Sequence, residues 1–163
     1  MERPAEFQPE AVIGLLGRHR VRYVLIGGLA GITQGASIVT QDIDVCYARD
    51  RDNLVALAAA LREVHAELRG ADPGLPFRLD AKTLANGDSF TFTTDAGWID
   101  VMATPAGTTG YDDLARTAER FDLFGHRVLV PAIPDLIRMK RAAGRPKDLL
   151  VVEQLGALQD ESG

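Results

Sequence analysis

The chain has 163 residues, of which 46% are hydrophobic and 25% are charged, and its formal net charge at pH 7 is −5. This length suits one domain with its own core, and the negative balance argues against a general coat for nucleic acid. No run of 18 apolar residues occurs, so the sequence predicts no transmembrane helix and no membrane partner.

The two ends and the single cysteine bear on domain organisation and compartment. The first six residues contain acids and a proline where a secretory signal needs a basic and then an apolar stretch, so we expect no signal peptide. Cys46 excludes an internal disulfide framework and is expected to be a small buried hydrophobe, which favours a cytoplasmic location. We expect a single domain over residues 1–158 and a frayed tail over 159–163.

The first strand of the chain runs into a pair of glycines. A helix is predicted over residues 8–20, a buried strand over 23–26 and a short helix over 29–36. Gly27 and Gly28 follow the strand directly, which is typical of a tight turn. Glycine lets backbone N–H groups at a helix start approach an anion closely, so this turn is a candidate phosphate-binding site.

Two aspartates begin the second strand, which is predicted over residues 43–47. Asp42 and Asp44 are two positions apart, so their side chains point to the same face of the strand. Adjacent carboxylates repel each other unless a cation neutralises them, and a hard divalent ion with oxygen ligands is the simplest explanation. A metal-binding pair beside an anion-binding turn predicts a nucleoside triphosphate site.

A helix and a loop-rich segment follow these two strands. Asp50 is expected to cap a helix that runs from Arg51 to about Leu68. Residues 70–87 include prolines and glycines, and they are expected to form a loop with a short strand over 77–79.

An acid interrupts an apolar strand in the next segment. Ser89–Thr94 and Trp98–Met102 alternate in the manner of a β-hairpin, and Asp100 lies within the second strand. A buried lone charge is costly unless it is paired or coordinates a metal. Asp100 is therefore a third candidate ligand, and the alternative is an exposed residue on an edge strand.

The last third of the chain carries a local excess of positive charge. We predict a helix over 111–118, a hairpin over 121–130, and helices over 134–143 and 146–158. From His126 to Asp148 there are six cations and two acids, which suits an anionic ligand. Lys140 falls among the apolar residues of its helix, so its amine either reaches an anion or snorkels past the core edge.

Four stretches together resemble the nucleotidyltransferase fold of the polymerase-beta-like superfamily, and more narrowly the small bacterial nucleotidyltransferases grouped with abortive-infection toxins. The stretches occur in the expected order and span most of the chain: Val24-Leu-Ile-Gly-Gly-Leu-Ala30, Thr40-Gln-Asp-Ile-Asp44, Trp98-Ile-Asp100 and Leu136-Ile-Arg-Met-Lys-Arg-Ala-Ala-Gly-Arg-Pro-Lys-Asp148.

The resemblance implies a minimal α/β (α+β) fold, a mixed sheet flanked by helices, with a metal and a nucleotide site. Two Mg²⁺ ions would be held by Asp42, Asp44 and Asp100 while a nucleoside triphosphate serves as substrate. The implied contacts to the nucleotide come from glycines, hydroxyls and lysines: Gly27, Gly28, Ser37, Thr40, Lys140 and Lys147. For Ser37 and Thr40, a role in stabilising the loop is an equal alternative.

The resemblance leaves the acceptor of the nucleotide open. It allows a tRNA end, a protein hydroxyl or a small molecule such as an antibiotic. It also allows the role of a toxin that is paired with a cognate antitoxin.

Two positions depart from the family pattern. Gln34 stands where relatives commonly have a histidine, and Ile38 stands where they have an arginine that could grip phosphate. The main alternative is therefore a catalytically silent protein of the same fold that acts as a binding module. A metal-dependent hydrolase of phosphate esters is a weaker alternative, because such an enzyme would use the same carboxylates but would not need the Gly-Gly turn.

Overall fold

A computed structural model describes residues 6–72 and 74–162 of the chain. A mixed seven-stranded sheet with the order β3-β4-β5-β2-β1-β7-β6 forms the centre of this part. The strands are β1 (Tyr23–Ile26), β2 (Asp42–Tyr47), β3 (Glu67–Leu68), β4 (Ser89–Thr94), β5 (Gly97–Met102), β6 (Glu119–Leu123) and β7 (His126–Val130).

Helices flank the sheet, as predicted for the fold class. They are α1 (Pro9–Arg18), α2 (Gly27–Thr33), α3 (Arg51–Glu63), α4 (Ala81–Asn86), α5 (Tyr111–Thr117), α6 (Ile133–Ala143) and α7 (Pro146–Ser162). None of the helices in the described part of the chain combines the length and apolar character that a membrane span requires.

The pairing of the central strands explains why the sheet is mixed. β2 runs antiparallel to β1 and parallel to β5, while β1 runs parallel to β7. Side chains alternate between the two faces, so Ile43 and Val45 enter the main core while Cys46 lies in a smaller apolar cluster on the other face. Cys46 is fully buried, as expected. The carboxylates of Asp42 and Asp44 share this second face.

Several predicted elements are confirmed. β1 has the predicted bounds, and β4 and β5 form the predicted hairpin. The side chain of Asp50 accepts a hydrogen bond from the backbone of Asn53 and so caps α3. Gly144 ends α6 in the left-handed conformation with φ of 69°.

Other boundaries were predicted wrongly. α2 begins at Gly27 instead of Leu29, and α7 continues to Ser162, four residues past its expected end. α3 ends at Glu63, because the backbone N–H groups of His65 and Ala66 turn back onto the last carbonyls of the helix. The residues after it pair with β4 as the short strand β3.

The segment over 77–79 is not a strand, and a short helix that was not predicted follows it. This helix, α4, begins after Asp80, whose side chain accepts a hydrogen bond from Thr83 N. The side chain of Leu84 anchors α4 in the core, where it is fully buried.

We predict that Asn53 is a major source of stability. Its Oδ1 accepts from Arg22 N at 2.7 Å, and its Nδ2 donates to Arg22 O at 3.0 Å and to Ala48 O at 2.7 Å. These bonds join α3 to the start of β1 and the end of β2. Because truncation would leave the side chain's backbone partners unsatisfied, Asn53→Ala should lower the free energy of unfolding by about 3 kcal/mol in urea denaturation.

The control is Asp52→Ala, which changes an exposed neighbour in the same turn of α3. It should change the free energy of unfolding by less than about 0.5 kcal/mol. Equal effects of the two substitutions would show that the Asn53 hydrogen bonds contribute no more to the free energy of unfolding than an exposed side chain does.

Candidate active site

A cleft of about 740 Å³ opens on the face of the sheet that carries Asp42 and Asp44. Its walls come from α2, the loop over residues 37–41, the strands β2 and β5, and the helices α6 and α7. The cleft therefore gathers the four stretches that carry the resemblance into one place.

The structure brings the three predicted carboxylates together at this cleft. Parallel pairing of β2 and β5 places Asp44 directly beside Asp100, and Asp42 beside Trp98. One carboxylate oxygen from each of the three aspartates lies within 4.8 Å of those of the other two. Asp100 is 8% exposed on an interior strand, so the alternative of an exposed residue on an edge strand is wrong.

The electrostatics of this cluster favour a cation. Burial, and then the charges of Asp42 and Asp100, raise the pKa of Asp44 to about 8. The positive charge of Lys140 lowers this pKa, but it has a smaller effect than burial and the two carboxylates. Burial also raises the pKa of Asp100. Three crowded carboxylates offer only oxygen atoms, which are the ligands of hard divalent ions, so the residues present fit Mg²⁺.

The two glycines allow α2 to start against the carboxylates. Gly27 has φ of +72°, and a Cβ atom built on it would overlap the carboxylate of Asp44. A Cβ on Gly28 would lie 2.8 Å from Thr40 Oγ1. Any side chain at either position would therefore displace a residue of the site. The need for glycine here is steric, in addition to any contact with phosphate.

The predicted hydroxyl residues, Ser37 and Thr40, have protein partners. Thr40 Oγ1 donates to the backbone oxygen of Asp42 at 3.1 Å and lies 3.4 Å from Asp42 Oδ1. Ser37 N donates to Gln154 Oε1 at 2.7 Å, and Gln154 Nε2 donates to Ser37 O at 3.3 Å. Gln154 thus fastens the loop over residues 37–41 to α7. The Thr40 contacts fit the loop-stabilising alternative for its hydroxyl, whereas the Ser37 contacts are made by its backbone. Both residues line the cleft.

Lys140 lies in the cleft wall and contacts a carboxylate that sequence reasoning missed. Its Nζ is 3.6 Å from Asp148 Oδ1, and its side chain is 16% exposed. Asp148 is 1% exposed and also accepts from Arg145 Nε at 2.7 Å. Burial would raise the pKa of Asp148, but Arg145 and Lys140 together hold it below its ordinary value. Lys147 is exposed at the rim of the cleft.

Asp148 joins the end of α6 to the start of α7, and it keeps two cations beside the cleft. The three-residue spacing between Arg145 and Asp148 at a helix start was the available signal, because an acid in the third helical position can accept from the backbone of the residue before the helix, as Asp148 Oδ2 does from Arg145 N at 3.2 Å.

Arg69 is the second residue that sequence reasoning missed. Its Nη2 donates to Asp100 Oδ1 at 2.6 Å, and its guanidinium carbon lies 4.4 Å from the centre of the Trp98 ring. No pattern in the sequence indicates this contact, because it depends on the pairing of β3 with β4.

The two departures from the family pattern lie in different surroundings. Ile38 is half-buried in the lining of the cleft, where its Cδ1 is 3.7 Å from the position a Gly28 Cβ would take. Gln34 Nε2 donates to Pro131 O at 2.9 Å and to Glu119 Oε1 at 3.1 Å, so this side chain joins α2 to the strand pair β6 and β7.

The sequence matches no protein-family model and no curated protein. Its fold is similar to the lincosamide antibiotic adenylyltransferase LnuA bound to lincomycin, with a TM-score of 0.63 and 12% identity over 94% of this chain and 99% of that one. It is also similar to a Thermotoga maritima protein assigned as a nucleotidyltransferase, with a TM-score of 0.52 and 16% identity over 96% of this chain and 97% of that one. For the antibiotic-resistance factor ANT(2'')-Ia, solved in solution, the TM-score is 0.55 and the identity 11% over 93% of this chain and 80% of that one. The chain therefore has the nucleotidyltransferase fold.

We predict that the stability of the metal-free protein falls as pH rises from about 4 to about 8. The folded protein holds a proton on Asp44 up to about pH 8, whereas the unfolded chain releases it near its ordinary pKa of about 4. The folded state therefore binds more protons in this window, and deprotonation costs stability. Asp44→Asn should show a shallower decline when urea denaturation in chelator is compared at pH 5 and pH 8.

The hydrogen bond of His65 to Asp95 raises the pKa of His65, which adds a decline of the same sign. The contact between His65 and Asp95 is present in both the unaltered protein and Asp44→Asn, so the difference between their pH dependences reports on Asp44 alone. Identical pH dependence of the two proteins would contradict the raised pKa of Asp44.

Proposed function

We propose that the protein is a metal-dependent nucleotidyltransferase that moves a nucleoside monophosphate from a nucleoside triphosphate to a hydroxyl acceptor. The observation that carries this proposal is the three-carboxylate cluster beside the Gly27-Gly28 turn, in one cleft of a nucleotidyltransferase fold. Bound divalent ions, two in number by the resemblance, would neutralise the triphosphate and increase the acidity of the acceptor hydroxyl.

In the proposed reaction the acceptor oxygen forms a bond to the α-phosphorus. The bond from that phosphorus to its bridging oxygen breaks, and pyrophosphate leaves with the electron pair. Asp42, Asp44 and Asp100 are the proposed ligands, and Asp100 is also the proposed base for the hydroxyl proton. Burial raises the pKa of Asp100, which favours the uptake of a proton by this carboxylate.

The nucleotide phosphates are proposed to lie between α2 and the α6–α7 corner. The backbone at Gly27 and Gly28 approaches the site without a side chain in the way. Lys140, Lys147 and Arg145 supply positive charge on the opposite wall of the cleft. Ser37 and Thr40 lie on the loop between these groups, so we assign them to the shaping of the phosphate site. Lys140 would offset the charge of the departing pyrophosphate.

For the acceptor we propose a small hydroxyl compound. Two neighbours in fold, the lincosamide adenylyltransferase and the antibiotic-resistance factor, are named for antibiotics, and the first was solved with lincomycin. Labelling of tRNA or of a protein would instead favour the toxin role with a cognate antitoxin.

The test is transfer of label from α-³²P nucleoside triphosphates in Mg²⁺ or Mn²⁺ to panels of antibiotics, tRNA and protein. We expect one panel to be labelled, with release of pyrophosphate. Asp42→Asn combined with Asp44→Asn should lower the rate by about 1,000-fold or more, because it removes the charge that holds the metal. Thermal stabilisation by Mg²⁺ plus nucleotide should disappear in the same variant.

The matched control is Asp52→Asn combined with Asp122→Asn, which removes the same charge from exposed positions outside the cleft. It should retain both activity and stabilisation. If the unaltered protein shows neither label transfer nor stabilisation with any of the four triphosphates, the proposal of an enzyme is wrong and the alternative of a catalytically silent binding module is favoured. Release of phosphate from simple esters without transfer would favour the hydrolase.

A further inference from the structure

Arg69 is held in place from several directions beside the carboxylate cluster. Its backbone N–H donates to Thr91 O at 2.9 Å, and its Nη2 donates to Phe92 O at 3.0 Å. The guanidinium also stacks over the ring of Trp98. These three contacts do not involve Asp100, so Arg69 is a fixed group and not one that swings.

The same Nη2 donates to one oxygen of Asp100 at 2.6 Å. The Asp100 side chain is 11% exposed, and that of Arg69 is 26% exposed, so the contact is well shielded from water. Asp100 therefore accepts a charged hydrogen bond from Arg69 at Oδ1 and also offers a carboxylate oxygen to the cluster with Asp42 and Asp44, so Arg69 restrains the carboxylate that takes part in the cluster.

We propose that Arg69 is a positioning residue of the transfer reaction, which fixes the orientation of the Asp100 carboxylate toward the cation. This inference rests on the proposed function for its kinetic part, and on the carboxylate cluster alone for its metal-binding part. It gives a role to a residue that the family pattern of glycines, aspartates and lysines does not include.

The fixed charge of Arg69 has two opposite consequences. Its positive charge lies against the ligand set, so it weakens the attraction of the cluster for a bare divalent ion. Its hydrogen bond restricts the rotation of Asp100, so it favours the one orientation that serves the reaction. A residue that only stabilised the fold would not act in opposite directions on metal affinity and on rate.

The test compares Arg69→Met with the unaltered protein in two measurements. Mn²⁺ binding without nucleotide, followed by electron paramagnetic resonance of the free ion, should tighten by about threefold or more because a repelling charge is lost. The kcat of transfer should fall by about tenfold or more, while KM for the nucleotide stays within about twofold, because Asp100 loses its fixed orientation.

Arg69→Lys separates charge from orientation, because lysine keeps the positive charge but cannot provide the planar fork. It should leave Mn²⁺ affinity unchanged and still lower kcat. The matched control is Arg49→Met, since Arg49 also contacts a carboxylate, Asp88, and a backbone carbonyl, Ala85 O. Arg49 lies beyond the far end of β2, about 16 Å along the chain from Asp44, so neither quantity should change.

Weaker or unchanged Mn²⁺ binding in Arg69→Met would overturn the proposal, as would a normal kcat in Arg69→Lys. If Arg69→Met does not fold, as judged by its melting curve, the lysine variant decides the matter alone. If the unaltered protein transfers no nucleotide, the proposed function fails, and the Mn²⁺ measurement still decides whether Arg69 controls the cluster.

Discussion

The parallel pairing of β2 with β5 is the constraint on which the site depends. It places Asp44 beside Asp100 in the sheet, although 56 positions separate them in the chain, and Asp42 adds a third carboxylate on the same face. Burial and then the repulsion from the neighbouring carboxylates raise the pKa of Asp44. A fold that keeps three acids together in a half-buried position stores an unfavourable interaction, which a divalent cation would relieve.

The cations near the cleft are arranged so that none of them fully neutralises the negative charge of the three carboxylates. Arg69 contacts only one oxygen of Asp100, and Lys140 pairs first with Asp148. Asp148 therefore has an indirect effect on the site: it holds Lys140 and Arg145 at the wall where triphosphate would bind. Gln154 adds to this by fastening the neighbouring loop to α7 at Ser37. The last helix thus organises one side of the cleft without contributing a metal ligand.

Local patterns in the sequence predicted the centre of this arrangement and missed its support. The Asp-x-Asp spacing, the Gly-Gly turn and an acid inside an apolar strand each have a short-range signature, so Asp42, Asp44, Gly27 and Asp100 were found. Arg69 reaches Asp100 only after β3 has paired with β4, and nothing in its sequence neighbourhood indicates that contact. Asp148 has a local signal in its spacing from Arg145, but its contact with Lys140 exists only after α7 has packed against α6. The early end of α3 was missed for a related reason, because His65 adopts the left-handed conformation that usually marks a glycine.

The most direct measurement of the central claim is anomalous diffraction from crystals grown with Mn²⁺ and a triphosphate analogue that cannot be cleaved at the α-phosphorus. We predict Mn²⁺ peaks between the carboxylates of Asp42, Asp44 and Asp100, with the phosphates directed toward Gly27, Gly28 and Lys140. An absence of Mn²⁺ from this cluster at saturating ion and nucleotide, or a nucleotide bound elsewhere on the protein, would contradict it.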